Sequence, residues 1–283
     1  MRIARTLDEL DREVSALRAG GRRLAIVPTM GALHGGHVAL IGIGRRRADR
    51  VAASIFVNPL QFNSADDLAR YPRDEASDLE KLSAAGCDLA WLPGAEAMYP
   101  PGTVTTIDVG GPAEGWEGAH RPGHFRGVAT VCTKLFLQTR ADLAIFGEKD
   151  WQQVQVIRRV VADLNIPIEI VPVPTIREAD GLAMSSRNRF LTPAERATAP
   201  RLAATLDATA RAIARDHAPG RAIAAAIATL EADGFVVEYL ARVVPETMRA
   251  MSEDDRGPGR LIAVARLGAV RLLDNWPVAA RGA

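Results

Sequence analysis

Short apolar runs alternate with longer segments of helical character through the first 173 residues, and that alternation limits the folds open to this chain. Strand-like runs fall at 24–27, 51–57, 88–92, 142–146 and 168–173, and helix-like segments at 37–49, 74–85, 125–138 and 151–164. Short continuous apolar runs suit strands buried on both faces. Strand–helix repetition predicts an α/β fold, a parallel sheet covered by helices and joined by right-handed crossovers. Thr6-Leu7-Asp8-Glu9 has the form of a capping box and opens a further helix ending near Gly20-Gly21. Residues 104–109 read as an extra strand or an extended loop, inside a Gly- and Pro-rich stretch at 93–122.

The texture changes after Ile176. Residues 193–217 and 221–233 read as two alanine-rich helices broken at Pro219-Gly220, with His217 a charge partner at the end of the first. Strand candidates follow at 235–243, 261–265 and 269–273, with 256–260 as a loop tip. Helices followed by an antiparallel meander predict a smaller α+β domain, so the expected domains are 1–176 and 177–283. A net charge of +1 gives no electrostatic case for nucleic acid or a membrane as partner. Two cysteines, Cys87 and Cys132, make no disulfide framework, and a cytoplasmic location is expected. No apolar run approaches the roughly 20 residues that span a bilayer.

In an open parallel sheet, ligands bind beyond the carboxyl ends of the strands. The first exit is Pro28-Thr29-Met30-Gly31-Ala32-Leu33-His34-Gly35-Gly36-His37, two imidazoles three residues apart at a strand-to-helix turn. Free N–H groups and the helix dipole favour an anion there, and glycines permit close backbone approach, so a phosphate site is the favoured reading. A zinc protease pattern would need His at i and i+4 around a Glu. The plainer alternative is that both histidines cap and pack. Asn58-Pro59-Leu60-Gln61-Phe62 follows the second strand, Gly147-Glu148-Lys149-Asp150 the fourth, and Asp180-Gly181-Leu182-Ala183-Met184-Ser185-Ser186-Arg187-Asn188 the last. Each alone could be a turn or a cap. Jointly their His, Lys, Arg and hydroxyl groups complement a polyphosphate and could stabilise charge developing on phosphorus. His120 and His124 lack an obvious third ligand for a metal.

These segments, with Tyr71-Pro72-Arg73, Arg121-Pro122-Gly123-His124-Phe125-x-Gly127-Val128 and Gln152-Gln153, together resemble pantothenate synthetases (pantoate–β-alanine ligases). A weaker echo, Arg266-Leu267-Gly268-x-x-Arg271-Leu272-Leu273-Asp274-Asn275, lies near the C-terminus. The resemblance implies a Rossmann-like nucleotidyltransferase domain with a smaller C-terminal domain, usually as a homodimer. It implies that ATP and pantoate form pantoyl adenylate with Mg²⁺, and that β-alanine then displaces AMP. Met30, Gly31, Ala32, Leu33, His34, Gly35, Gly36 and His37 would bind ATP, with His37 at the proton-donor position and His34 on phosphate. Gly147 and Asp150 would hold the ribose, Glu148 would complete that turn, and Lys149 would reach the phosphates. Ile176 would lie by the adenine, and Met184, Ser185, Ser186 and Arg187 would close over the phosphates. Gln61 and Gln153 would bind pantoate, supported by Asn58, with Pro28, Met30 and Phe62 as an apolar wall; the metal ligands are left unassigned.

The residues themselves suit that chemistry. A carboxylate needs no base to attack phosphorus at neutral pH, so cations and N–H donors are the useful tools. Amide side chains satisfy a hydroxy acid without burying another charge. No Asp or Glu stands out as the base for the amine. Trp151 replaces the family's Tyr or Phe, Cys132 its more usual Val, and Ala241-Arg242-Val243-Val244 an acidic strand end. Two other readings are an adenylyl- or cytidylyltransferase, which would want cations for an acceptor phosphate, and a catalytically silent nucleotide-binding regulator.

Overall fold

The computed structural model describes residues 1–215 and 218–280. They form two compact units, one of Met1–Glu148 with Gln152–Pro174 and the other of Lys149–Trp151 with the chain from Thr175 onward. The strands of the first are β1 (Arg2–Ala4), β2 (Leu24–Thr29), β3 (Arg50–Ile55), β4 (Leu89–Trp91), β5 (Leu143–Gly147) and β6 (Glu169–Val173). They make one sheet in the order β1-β4-β3-β2-β5-β6, every neighbouring pair parallel. The apolar runs account for this: Leu24, Ala25, Ile26, Val27, Leu89, Ala90, Trp91, Leu143 and Ala144 have no solvent exposure. Connections from β2 run one way to β3 and β4 and the other way to β5 and β6. The β2/β5 boundary is therefore the topological switch point, where ligands bind in sheets of this type.

Helices α1 (Leu7–Arg18), α2 (Gly35–Arg47), α3 (Ala65–Arg70), α4 (Glu75–Ala84), α5 (Ala95–Met98), α6 (Trp116–His120), α7 (His124–Thr139) and α8 (Trp151–Asp163) connect the strands. The capping box opens α1 as expected, with Glu9 N–H donating to Thr6 Oγ1 at 3.2 Å and Thr6 N–H to Glu9 Oε2 at 3.2 Å. Strand β1 was not expected, because three residues are too few to carry a pattern; parallel pairing with β4 makes it a strand. Residues 104–109 form an extended loop in place of a strand, and Ile107 N–H donates to Thr130 Oγ1 at 3.0 Å.

The second unit holds α9 (Pro193–Thr198), α10 (Arg201–Ala214), α11 (Pro219–Ala232), β7 (Val236–Val243), β8 (Gly259–Leu267) and β9 (Val270–Val278). Its sheet is antiparallel in the order β7-β8-β9. The single helix expected over 193–217 is two, because Pro200 has no N–H to continue the ladder; Ala204 N–H donates to Pro200 O at 3.2 Å as the next helix starts. The loop tip expected at 256–260 is shorter, since Gly259 and Arg260 already pair with Val278 and Pro277. His217 lies outside the described residues. Among the described residues no helix is long and apolar enough to cross a membrane.

Candidate active site

The exit of β2 is a tightly satisfied turn. Thr29 Oγ1 donates to Ser54 O at 2.6 Å and accepts the Gly31 N–H at 3.2 Å. Gly31 (φ +80°) and Ala32 (φ +52°) then turn the chain through left-handed conformations. A Cβ on residue 31 would lie 2.8 Å from Asp78 Oδ2, so glycine is required there on two counts. The Asp78 carboxylate, on α4 and 2% exposed, takes the Ala32 N–H at 2.8 Å and the Leu33 N–H at 2.7 Å. His34 caps α2, its Nδ1 accepting the Gly36 N–H at 3.1 Å, while His37 Nδ1 accepts the His34 N–H at 3.3 Å. The two ring centroids are 4.2 Å apart.

This arrangement changes the expected source of anion affinity. The turn's amides at 32, 33, 34 and 36 are already taken by Asp78, His37 and His34. The imidazole edges are then the turn's candidate side-chain donors to a phosphate. A Nδ1 that accepts a backbone N–H puts the ring proton on Nε2, making each Nε2 a donor. Capping and ligand binding, opposed as readings of the sequence, are therefore compatible: one nitrogen of each ring caps and the other can serve.

Beyond β3, the one-turn 3₁₀ helix Pro59–Gln61 is capped by Asn58, whose Oδ1 accepts the Leu60 N–H at 3.3 Å and the Tyr99 hydroxyl at 2.9 Å. Burial pushes the Tyr99 phenol above its ordinary range, so it stays a donor. Asn58 Nδ2 donates to Gln61 Oε1 and to Gly127 O, both at 3.0 Å. That fixes the Gln61 amide with Nε2 presented as donor, 3.0 Å from Met30 Sδ. Helix α7 comes so close that a Cβ on Gly127 would sit 2.4 Å from Leu60 O. The Gln61 carbonyl is held by His124 Nδ1 at 2.9 Å and Arg121 Nη2 at 3.1 Å. His124 thus works as a buried brace, and among the described residues no cluster of three or more His, Cys, Asp or Glu could hold a metal. Phe62 meets the edge of the Tyr71 ring, with centroids 5.7 Å apart. Gln153 is half-buried in the first turn of α8. Gly147 ends β5 with open space where a Cβ would be, and Glu148 follows it. Cys132 is a core residue whose thiol burial pushes up to about 12, so it is chemically quiet.

In the second unit, the Lys149 side chain is 21% exposed and its Nζ lies 3.7 Å from Asp150 Oδ1. Trp151 Nε1 donates to Pro245 O at 2.7 Å, a bond that Phe could not make, and Arg260 stacks on the indole at 3.5 Å. Ile176 accepts the Met184 N–H at 2.9 Å, and Arg177 bridges Ala183, so residues 176–184 form a narrow hairpin turning at Gly181. It leads into the 3₁₀ helix Ser186–Phe190, capped by Ser185, whose Oγ accepts the Arg187 N–H at 3.3 Å.

The residues expected at a site lie just beyond strand ends, on this hairpin or in the 3₁₀ helix that follows it, with Gln153 in the first turn of α8. The structure adds Asp78 and Arg177 and gives Arg121, His124 and Asp274, so far only parts of motifs, the work of holding backbone or other side chains. Sequence reasoning had no signal for Asp78, since a lone acidic residue in an amphipathic helix looks solvated.

A family model for pantoate–β-alanine ligase matches residues 2–277. The chain belongs to the pantoate–β-alanine ligase family. It is accordingly an enzyme, a ligase of pantothenate biosynthesis. Pantothenate synthetases from Rhizorhabdus wittichii and Acidiphilium cryptum are 54% and 55% identical to it, over 98% of this chain and 99% and 100% of theirs. The crystal structure of the pantothenate synthetase from Thermus thermophilus matches with a TM-score of 0.91 at 47% identity, covering 99% of this chain and 100% of that one. A second ligase structure, from Francisella tularensis, was determined with beta-gamma ATP and β-alanine bound; its TM-score is 0.82 at 31% identity, over 98% of this chain and 97% of that one.

Proposed function

We propose that this ligase works through pantoyl adenylate. A carboxylate oxygen of pantoate attacks the α-phosphorus of ATP and pyrophosphate leaves; the β-alanine nitrogen then attacks the acyl carbon, loses a proton, and AMP leaves. The observation that carries this reading is the β2 exit, where each of two imidazoles accepts a backbone N–H at Nδ1, which assigns its ring proton to Nε2, beside the switch point of a parallel sheet. Such donors suit a reaction whose barrier is repulsion between a carboxylate and a polyphosphate, because they offset growing charge without reorganising.

Residues 1–176 are assigned to ATP and pantoate, with 177–283 as the smaller domain. Met30 to His37 take ATP, with His34 and His37 on phosphate. Gly147, Glu148 and Asp150 serve the ribose and its turn, Lys149 the phosphates, and Ile176 the adenine. Met184, Ser185, Ser186 and Arg187 serve the phosphates. Magnesium is assigned as the cation that accompanies ATP, with its protein ligands left unassigned. A homodimer and a cytoplasmic location complete the assignment, the former to be read by analytical ultracentrifugation.

Gln61, with Oε1 occupied by Asn58, donates through Nε2 to a pantoate oxygen, and Gln153 makes a second amide contact. Replacing either by alanine strands a substrate oxygen, at about 1–3 kcal/mol. Gln61→Ala and Gln153→Ala are thus expected to raise the apparent KM for pantoate by about 10–100-fold with the KM for ATP little changed. Steady-state kinetics checks this, and an unchanged pantoate KM in both variants would place the acid elsewhere.

A further inference from the structure

Adjacent residues of β9, Asp274 and Asn275, grip the two segments of the second unit to which phosphate binding is assigned. Asn275 Nδ2 donates to the Lys149 carbonyl at 2.8 Å. The Asp274 carboxylate takes both terminal nitrogens of Arg177, at 2.7 and 2.9 Å. Arg177 Nη1 also donates to Gly181 O at 3.0 Å, across the hairpin that leads to Ser185, and its guanidinium lies 4.5 Å from the Trp276 ring. Asp274 is 2% exposed and Asn275 4% exposed, and the Asn275 N–H donates to Asp274 Oδ1 at 2.8 Å. Successive strand residues point to opposite faces of the sheet. One step of β9 therefore fixes the Lys149 turn from one face and the root of the 176–184 hairpin from the other. Regular pairing of Asp274 with Ala263 and Asn275 with Ile262 ties that step to β8.

We infer that Asp274 and Asn275 are positioning residues for the first half-reaction, with β9 as the gauge that sets the Lys149 ammonium and the Ser185–Arg187 segment against one another. Both act through the segments they hold. A buried polar pair on the two faces of one strand is costly unless every group is partnered, and here the partners are backbone and side chains of the two phosphate-assigned segments. The inference rests on the assignment of Lys149 to phosphate.

Asn275→Ala removes the donor to Lys149 O, and Asp274→Asn keeps the shape but weakens the grip on Arg177. Misplacing a catalytic group by about 1 Å costs about 10²-fold, so both variants are expected to form pantoyl adenylate about 10–10²-fold more slowly in single turnovers. Their reaction of pre-made pantoyl adenylate with β-alanine should stay within about twofold of the native rate, a split that general loosening of the fold would not produce. Should Asn275→Ala not fold, Asp274→Asn, which keeps the side chain's shape, carries the same comparison. Native rates in both half-reactions, or equal losses in both, would overturn the inference. Lys149→Ala run alongside separates the causes: if it slows adenylation while the β9 variants do not, the gauge alone is refuted. If Lys149→Ala changes nothing, the phosphate assignment falls and the inference with it.

Discussion

His37→Ala and Lys149→Ala are expected to slow pantoyl adenylate formation by about 10²–10³-fold each, the loss typical of removing one preorganised donor from a site of developing charge. His37 is half-buried and accepts the His34 N–H over a long 3.3 Å, and the Lys149 ammonium is partly exposed, so neither side chain is a core-packing group and the fold should survive either change. The step from pantoyl adenylate to pantothenate should suffer less, because pyrophosphate has already gone. Single-turnover measurement of each half-reaction decides between roles. Equal losses in both steps, or a collapse of thermal stability, would make these residues scaffolding.

A second large effect is expected at Asp78, through stability as well as rate. Its carboxylate takes the amides of Ala32 and Leu33 next to two residues with positive φ, and it is almost wholly buried. Asp78→Ala leaves two buried N–H groups without an acceptor, at about 1–3 kcal/mol each, and removes what holds Ala32 in a conformation that side chains disfavour. The expected result is a loss of about 2–6 kcal/mol in stability, together with a raised KM for ATP as the His34–His37 turn loses its shape. Chemical denaturation and ATP titration check the two parts. A variant with native stability and native ATP affinity would show that the turn holds itself.

The sheet was legible because its strands are continuous apolar runs, as burial on both faces demands. The antiparallel unit was legible only in outline. The expected third strand ended at residue 273, since Asp274-Asn275-Trp276-Pro277 breaks the apolar pattern, yet the strand runs to Val278. Those polar residues are buried by their partners, Arg177 and the Lys149 carbonyl, which distant segments supply and no local window reveals. The same holds at the site. The His-x-Gly-His turn was visible as a ligand candidate, but its amides looked open because Asp78, more than 40 residues away in sequence, gave no sign of closing on them. His124, for which the sequence offered no metal partner and no other role, is a brace for the Gln61 carbonyl, a role fixed by tertiary contact alone.

The adenylate route is tested most directly by following oxygen. Pantoate labelled with ¹⁸O in its carboxylate is turned over with ATP and β-alanine, and the phosphate-containing products are analysed by mass spectrometry. Attack of the carboxylate on the α-phosphorus followed by acyl transfer leaves one labelled oxygen in AMP, alongside unlabelled pyrophosphate. ADP with label in inorganic phosphate would mean attack at the γ-phosphorus and an acyl phosphate, and would contradict the account.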